Sequence, residues 1–343
     1  MGDWYSQAVK ARGVALGCVV FLAWFTMKFH MDNANDSETR AYVGTLLWNV
    51  EHATLSADAT GHYTGVAGYV VWQSSGALSV VTALYAPRGL ALALMFLGLA
   101  LYGLAYAWYA ELGLRWLSRL FGLALLSVSV VFAMLIRGWE LDKLLEPSLF
   151  LLGGLLAWRR QYAAFVVVSA LAAANRETGA FMPLVAAAAL FEERASLRAM
   201  LRAWPVRLSL GVCLVEIVWL RSQLPAPQVR PWADVSLERL VYVAGGMCLL
   251  PVLAVAWHRS ASPGLRFLLL TSLVWLVYAL ATDRLEQGAV LLAPLALVWL
   301  PIVLAGLEGA LQPAARSQPS FRADAADPAV PGARQSTPMA PGT

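Results

Sequence analysis

Ten apolar runs divide this chain, and almost none of them carries a charge in its interior. A segment of about 20 apolar residues crosses the hydrocarbon core of a bilayer. Such runs occupy roughly 14–30, 89–109, 118–137, 147–158, 162–176, 180–192, 206–221, 239–257, 265–282 and 288–307. Lipid offers no hydrogen bonds, so each spanning segment must satisfy its own backbone, and the runs read as helices. Composition agrees: 59% of the residues are hydrophobic and 13% charged, against about 25% charged in soluble domains. The fold class is therefore all-α, a polytopic integral membrane protein of about ten transmembrane helices. Fourteen Trp and eleven Tyr suit interfacial belts.

The first run follows Lys10 and Arg12, and no convincing small-residue cleavage site follows it, so it reads as an uncleaved signal anchor. With the N-terminus inside, alternation puts 15 of 25 basic residues on the cytoplasmic side, with seven of 21 acidic ones. That excess obeys the positive-inside rule. Only Lys10, Lys28 and Lys143 are lysines, a bias suggesting a GC-rich bacterial genome. The expected location is thus the bacterial inner membrane, multi-pass, with both termini cytoplasmic. Residues 1–311 form the transmembrane domain, 31–88 its first extracytoplasmic loop, and 312–343 a disordered tail rich in Pro, Ala, Ser and Gly. Within the loop, Val66–Tyr85 reads as an interfacial or re-entrant helix; if it spans, all later parity inverts.

Asn175-Arg176-Glu177-Thr178-Gly179 interrupts two uncharged stretches, 163–174 and 180–191. Read as one kinked helix, 163–191 would put Arg194, Arg198, Arg202 and Arg207 outside, against the charge rule. The better reading is a re-entrant or short helical hairpin, whose arms of about 20 Å stop short of a ~30 Å core. Its tip then lies below the outer surface. Ionisable groups at such depth face protein or a water-filled cavity and are functional candidates by default. Adjacent helix residues do not face each other, so Arg176 and Glu177 should find partners on other elements.

The other outward charges are Asp32/Asp36/Glu38/Arg40, Arg88, Arg137/Glu140/Asp142/Glu146 and Asp283/Arg284/Glu286. Most have a plain structural alternative, as do Arg176 and Glu177, which would be a structural ion pair stabilising a re-entrant turn. The first group would be a solvated, N-capping loop. The third would be an interfacial helix with snorkelling charges, and the last a solvated turn. Glu216 would snorkel or pair with an arginine. Cys18, Cys213 and Cys248 read as small buried hydrophobes, and His52 and His62 form no metal pattern. No strands are expected, so no phosphate loop and no ATPase domain are expected either.

Glu146-Pro147-Ser148-Leu149-Phe150 opens a span that closes on Arg159-Arg160, and an Ala-rich span then leads to Asn175–Gly179 and Pro183. Asp283-Arg284-Leu285-Glu286 precedes a last span with Pro294. This order, over about residues 14–308, resembles bacterial polytopic proteins of the C-type (GT-C) glycosyltransferase superfamily. The resemblance implies transfer of a sugar from a polyprenyl-phosphate donor on the extracytoplasmic face. It implies Asp32 or Asp36 as catalytic base or metal contact, and Arg88, Arg176 and Arg284 as donor-phosphate ligands. Glu38, Glu146, Glu177, Asp283 and Glu286 would support them. The first loop carries separated carboxylates where the family usually has an adjacent pair.

The expected partners are therefore a lipid-linked sugar donor, membrane lipid and a glycan or lipid acceptor of the cell envelope. No nucleic acid and no organic cofactor are expected. A divalent cation could sit on the acidic first loop, although no ligand spacing supports one. The competing function is a transporter or flippase-like protein, or an assembly partner in an envelope polysaccharide system. A transporter needs charged groups along a path to both faces, and the inner halves of these spans are almost free of charge.

Overall fold

The computed structural model describes residues 2–33, 87–135, 141–193, 196–222, 249–281 and 291–311, and every regular element in them is helical. In order these are α1 (Gly2–Asn33), α2 (Pro87–Glu111), α3 (Trp116–Leu135), α4 (Leu141–Trp158) and α5 (Tyr162–Asn175). A 3-10 turn (Glu177–Phe181) leads into α6 (Met182–Glu192), α7 (Leu197–Arg202) and α8 (Trp204–Ser222). Then follow α9 (Leu249–Ala256), α10 (Pro263–Ala281) and α11 (Leu292–Ala310), the last with a π turn at Leu295–Trp299.

Among the described residues four helical segments are long and apolar enough to cross a membrane: Val9–Phe29, Ala91–Glu111, Trp116–Ala133 and Leu292–Ala310. Leu144–Trp158, Tyr162–Asn175 and Pro263–Val277 are shorter apolar helices. The chain is helical and carries the segments of a multi-pass membrane protein. Its outward faces fit lipid: Leu16, Phe96, Val215 and Leu270 are all exposed.

Charged and polar contacts gather one set of helix ends. Arg159 Nη2 lies 2.8 Å from Glu111 Oε2, and Arg160 Nε lies 2.7 Å from Glu193 Oε1. The amide of Arg115 donates to Glu308 Oε1 at 2.7 Å, and that of Gly264 to Glu192 Oε2 at 2.8 Å. Tyr162 meets Trp204 edge-on at 6.1 Å. These pairs join the ends of α2, α4, α6 and α11 to the starts of α3, α5, α8 and α10. The helices therefore alternate in direction, and the pair α5–α6 is a hairpin, not one kinked helix. Local chemistry sets the stops. After α2, Gly113 takes φ 78°; after α4, Arg160 takes φ 59° while the Gln161 amide bonds back to Leu156 O at 2.8 Å. This is the left-handed cap that ends many helices.

The core lies around α4 and α11. On α4, a Cβ added to Gly153 would stand 2.3 Å from Met182 Cε, and one on Gly154 2.9 Å from Leu297 Cδ1. These small residues let α6 and α11 approach α4 closely, as helices without a hydrophobic drive between them require. Trp108 of α2 donates its indole N–H to Leu297 O in the π turn at 2.9 Å, and Trp299 donates to Ser272 Oγ at 2.8 Å. These two buried indoles thus have acceptors that fix helix rotation.

The expected orientation is checked by reporter fusions. Fusions after Arg160 and Ala314 should read cytoplasmic, and one after Asp234 extracytoplasmic. An extracytoplasmic signal after Ala314 would mean a further span, with Val66–Tyr85 as its source; that segment lies outside the described residues.

Candidate functional site

The hairpin tip is built by an interruption of the helix. The Arg176 amide still bonds to Ala172 O at 3.0 Å, but Arg176 itself is extended, with φ −155° and ψ 155°. Gly179 N then bonds to Arg176 O at 2.9 Å and closes the 3-10 turn. Pro183 stands in the first turn of α6, where its missing N–H leaves no helical bond unmade. The turn folds tightly onto α5: a Cβ on Gly179 would be 2.3 Å from Ala173 N and 2.4 Å from Ala172 C.

The tip sits at depth. From the shared end, α5 rises 14 residues, or about 21 Å, while α2 rises 25 residues, or about 37 Å. Glu146 lies in α4, 12 residues before Trp158, or about 18 Å from the same end. The two positions match in depth, and their side chains meet. Arg176 Nη1 is 3.3 Å from Glu146 Oε2, with both side chains buried, at 0% and 2% exposure. The Thr178 hydroxyl donates a hydrogen bond to Glu146 Oε1. One carboxylate therefore holds the tip through both of its oxygens.

Glu177 turns the other way. Its Oε1 lies 3.2 Å from Arg221 Nη1 of α8, and this pair is less enclosed, with Arg221 20% exposed. The neighbouring charges of the tip thus find partners on two different helices, as their adjacency requires. The result is two ion pairs in series, α4–tip and tip–α8.

Below the tip the wall becomes aromatic. Phe181, two residues after Gly179, stacks on Trp275 of α10 at 4.7 Å and 9°, and Phe150 of α4 meets the same indole at 4.8 Å. These rings, with Val185, Pro294 and Leu297, line a small apolar slot with a cavity volume of about 20 Å³. Trp275 Nε1 is buried there without an acceptor among the described residues.

Several expectations change. Glu146 does not snorkel at an interface; it is buried and faces inward, because Arg176 and Thr178 give its carboxylate a better environment than lipid. Nor does α4 begin at Pro147. It starts at Leu141 and runs through that proline, with Ser148 Oγ bonded to Leu144 O at 2.7 Å. Glu216 neither snorkels fully nor meets an arginine: its Oε2 is buried without a hydrogen-bond partner among the described residues. Cys213 is buried as expected, whereas Cys18 is partly exposed. Arg221, Thr178 and the aromatic slot are new members of the site.

Of the other candidates, Asp32 and Arg88 are described as backbone only. Their helices approach at Ala23 and Gly98, where a Cβ added to Gly98 would lie 3.1 Å from Ala23 Cα, and Thr26 Oγ1 is hydrogen-bonded to the Tyr102 hydroxyl at 2.7 Å. Asp32 is nine residues past that approach on α1 and Arg88 ten before it on α2. Asp36, Glu38, Asp283, Arg284 and Glu286 lie outside the described residues. Among the described residues no group of three or more His, Cys, Asp or Glu could hold a metal ion. Compared with known proteins, the chain matches no family model, no curated protein and no solved structure.

Proposed function

We propose that this chain is a membrane glycosyltransferase of about ten spans in the bacterial inner membrane, GT-C-like, moving a sugar from a polyprenyl-phosphate donor to an envelope glycan or lipid. One observation carries the reading: a charged tip at membrane depth lies directly above an aromatic slot, and Phe181 belongs to both. An amphiphile with an anionic head and a hydrocarbon tail has that same division. Arg221 is the guanidinium of the tip with open surface, while Arg176 is enclosed and positions the turn. Arg88 and Arg284 would complete the phosphate site from the outer rim.

The chemistry balances with side chains alone. Asp32 or Asp36 takes the acceptor hydroxyl proton as its oxygen bonds to C1. The C1–oxygen bond to phosphate breaks, and polyprenyl phosphate leaves with the electron pair. Guanidinium groups in a low-dielectric site stabilise that developing charge. A divalent cation on the first loop would serve the same end.

The second reading, a non-enzymatic assembly protein, is favoured by the complete enclosure of Arg176. The two separate in a host strain lacking its own copy, with protein abundance and envelope glycan measured together. Asp32→Asn or Asp36→Asn should lower product by about 100-fold or more at unchanged abundance, the usual loss for a general base. Arg221→Gln should lower it by ~10–150-fold, the equivalent of one charged hydrogen bond. Normal product from both aspartate variants removes the enzyme reading.

A further inference from the structure

We propose that α7 is an anionic-phospholipid site at the end of the bundle opposite the hairpin tip. The inference is independent of the transferase reading and starts from how the arginines at that end are used. Arg159 and Arg160 are spent on Glu111 and Glu193. Arg119 donates to Leu114 O and lies over the Tyr106 ring. Arg266 donates to the carbonyls of His258, Ala261 and Arg259. Arg198 and Arg202, like Arg115 and Arg259, are exposed, and no carboxylate or carbonyl among the described residues accepts from their side chains; what sets the first two apart is that they share one helix.

Their setting is that of an interfacial helix. Ser196 caps α7 by accepting from Ala199 N at 3.2 Å, and Met200, 1% exposed, pins it to the bundle. Arg198 and Arg202 are four residues apart and share a face. Beside them Leu201 is 60% exposed and Trp204 54% exposed. Arg207 Nε donates to Leu201 O at 3.1 Å, holding a third cation against the same helix end. A basic helix with exposed apolar side chains lies in the headgroup plane, with its cations facing anionic lipid and its apolar residues entering the acyl boundary. The Tyr162–Trp204 pair marks that level, where amphipathic rings settle.

The occupant is the phosphate of an anionic phospholipid. Native mass spectrometry of the full-length protein in detergent, titrated with phosphatidylglycerol or phosphatidylcholine, tests this. Wild type should bind phosphatidylglycerol preferentially, and added salt should weaken it. Arg198→Gln with Arg202→Gln should reduce that affinity by about 10- to 30-fold, since each basic residue near an anionic surface contributes roughly fivefold. Phosphatidylcholine binding should not move. Arg198→Lys with Arg202→Lys should keep most of the affinity. Arg259→Gln, equally exposed but on another turn, should cost far less than the α7 pair. Equal binding of both lipids by wild type, or equal losses in the α7 and Arg259 variants, would overturn the site. If the glutamine pair does not fold, the salt titration and the lysine pair still decide. Salt-insensitive phosphatidylglycerol binding refutes the proposal.

Discussion

Arg176→Ala should strip most of the folded protein from the membrane. The change deletes one partner of a pair in which both side chains are sealed, and takes from the Glu146 carboxylate the guanidinium that faces it. Breaking a buried ion pair from one side costs about 3–5 kcal/mol, because the other charge stays buried and uncompensated. Whole domains are stable by only about 5–15 kcal/mol. Glu146→Gln should be as harmful for the mirror reason: its amide oxygen can still accept from Thr178, but the guanidinium loses its counter-charge. Arg176→Lys keeps a charge and loses the planar fork, so it should rescue little. Removing both charges should rescue much more. Arg176→Met with Glu146→Leu removes both charges, although Thr178 loses its acceptor, and matched apolar replacements of buried pairs are often neutral or better. Immunoblots of membranes and thermal melts of solubilised protein measure all four. Wild-type abundance for Arg176→Ala would refute the bracing role. The double variant adds a functional test: if it is folded and makes normal glycan, the pair only braces the tip; if folded and inactive, Arg176 contributes to donor binding as well.

Much of this arrangement can be read from residue spacing. Charges punctuate the apolar runs, so α5, the turn and α6 fall at 162–175, 177–181 and 182–192, close to the expected arms. The need for Arg176 and Glu177 to reach different elements follows from their adjacency. Their partners are harder to read. These helices are apolar on nearly every side, so periodicity does not say which face looks inward, and Glu146 looks like any carboxylate at a span entrance. Depth is the signal that finds it. Counting back from Trp158 and forward from Tyr162 puts Glu146 and Arg176 at nearly the same height, about 18 and 21 Å. Counting says nothing of Arg221, whose long side chain covers the remaining height from α8. The aromatic slot also escapes the sequence, since Phe150, Phe181 and Trp275 meet only through tertiary packing. Among the described residues, the catalytic carboxylates of the transferase reading are represented only by the backbone of Asp32.

Gly179→Ala should have the second large effect, for reasons of space. Its added Cβ would lie 2.3–2.4 Å from Ala173 N, Ala172 C and Ala173 Cα. All three are backbone atoms at the end of α5, and no rotamer change can move them aside. The turn must lift off the helix. Overpacking typically costs about 1–3 kcal/mol and sometimes more, and this case belongs at the upper end because both sides of the clash are main chain. Lifting the turn also draws Thr178 and Arg176 away from Glu146, so the loss should be less than additive with Arg176→Ala. Gly211→Ala is the matched control. It lies in α8, a Cβ there meets nothing within 4 Å, and alanine should gain up to ~1 kcal/mol of helix propensity. Thermal melts of the two variants in detergent should therefore move in opposite directions, with Gly179→Ala several degrees below wild type and Gly211→Ala at or above it. A Gly179→Ala melt indistinguishable from wild type would mean that the turn does not pack on α5 as closely as the structure has it, and the depth assigned to Arg176 would fall with it.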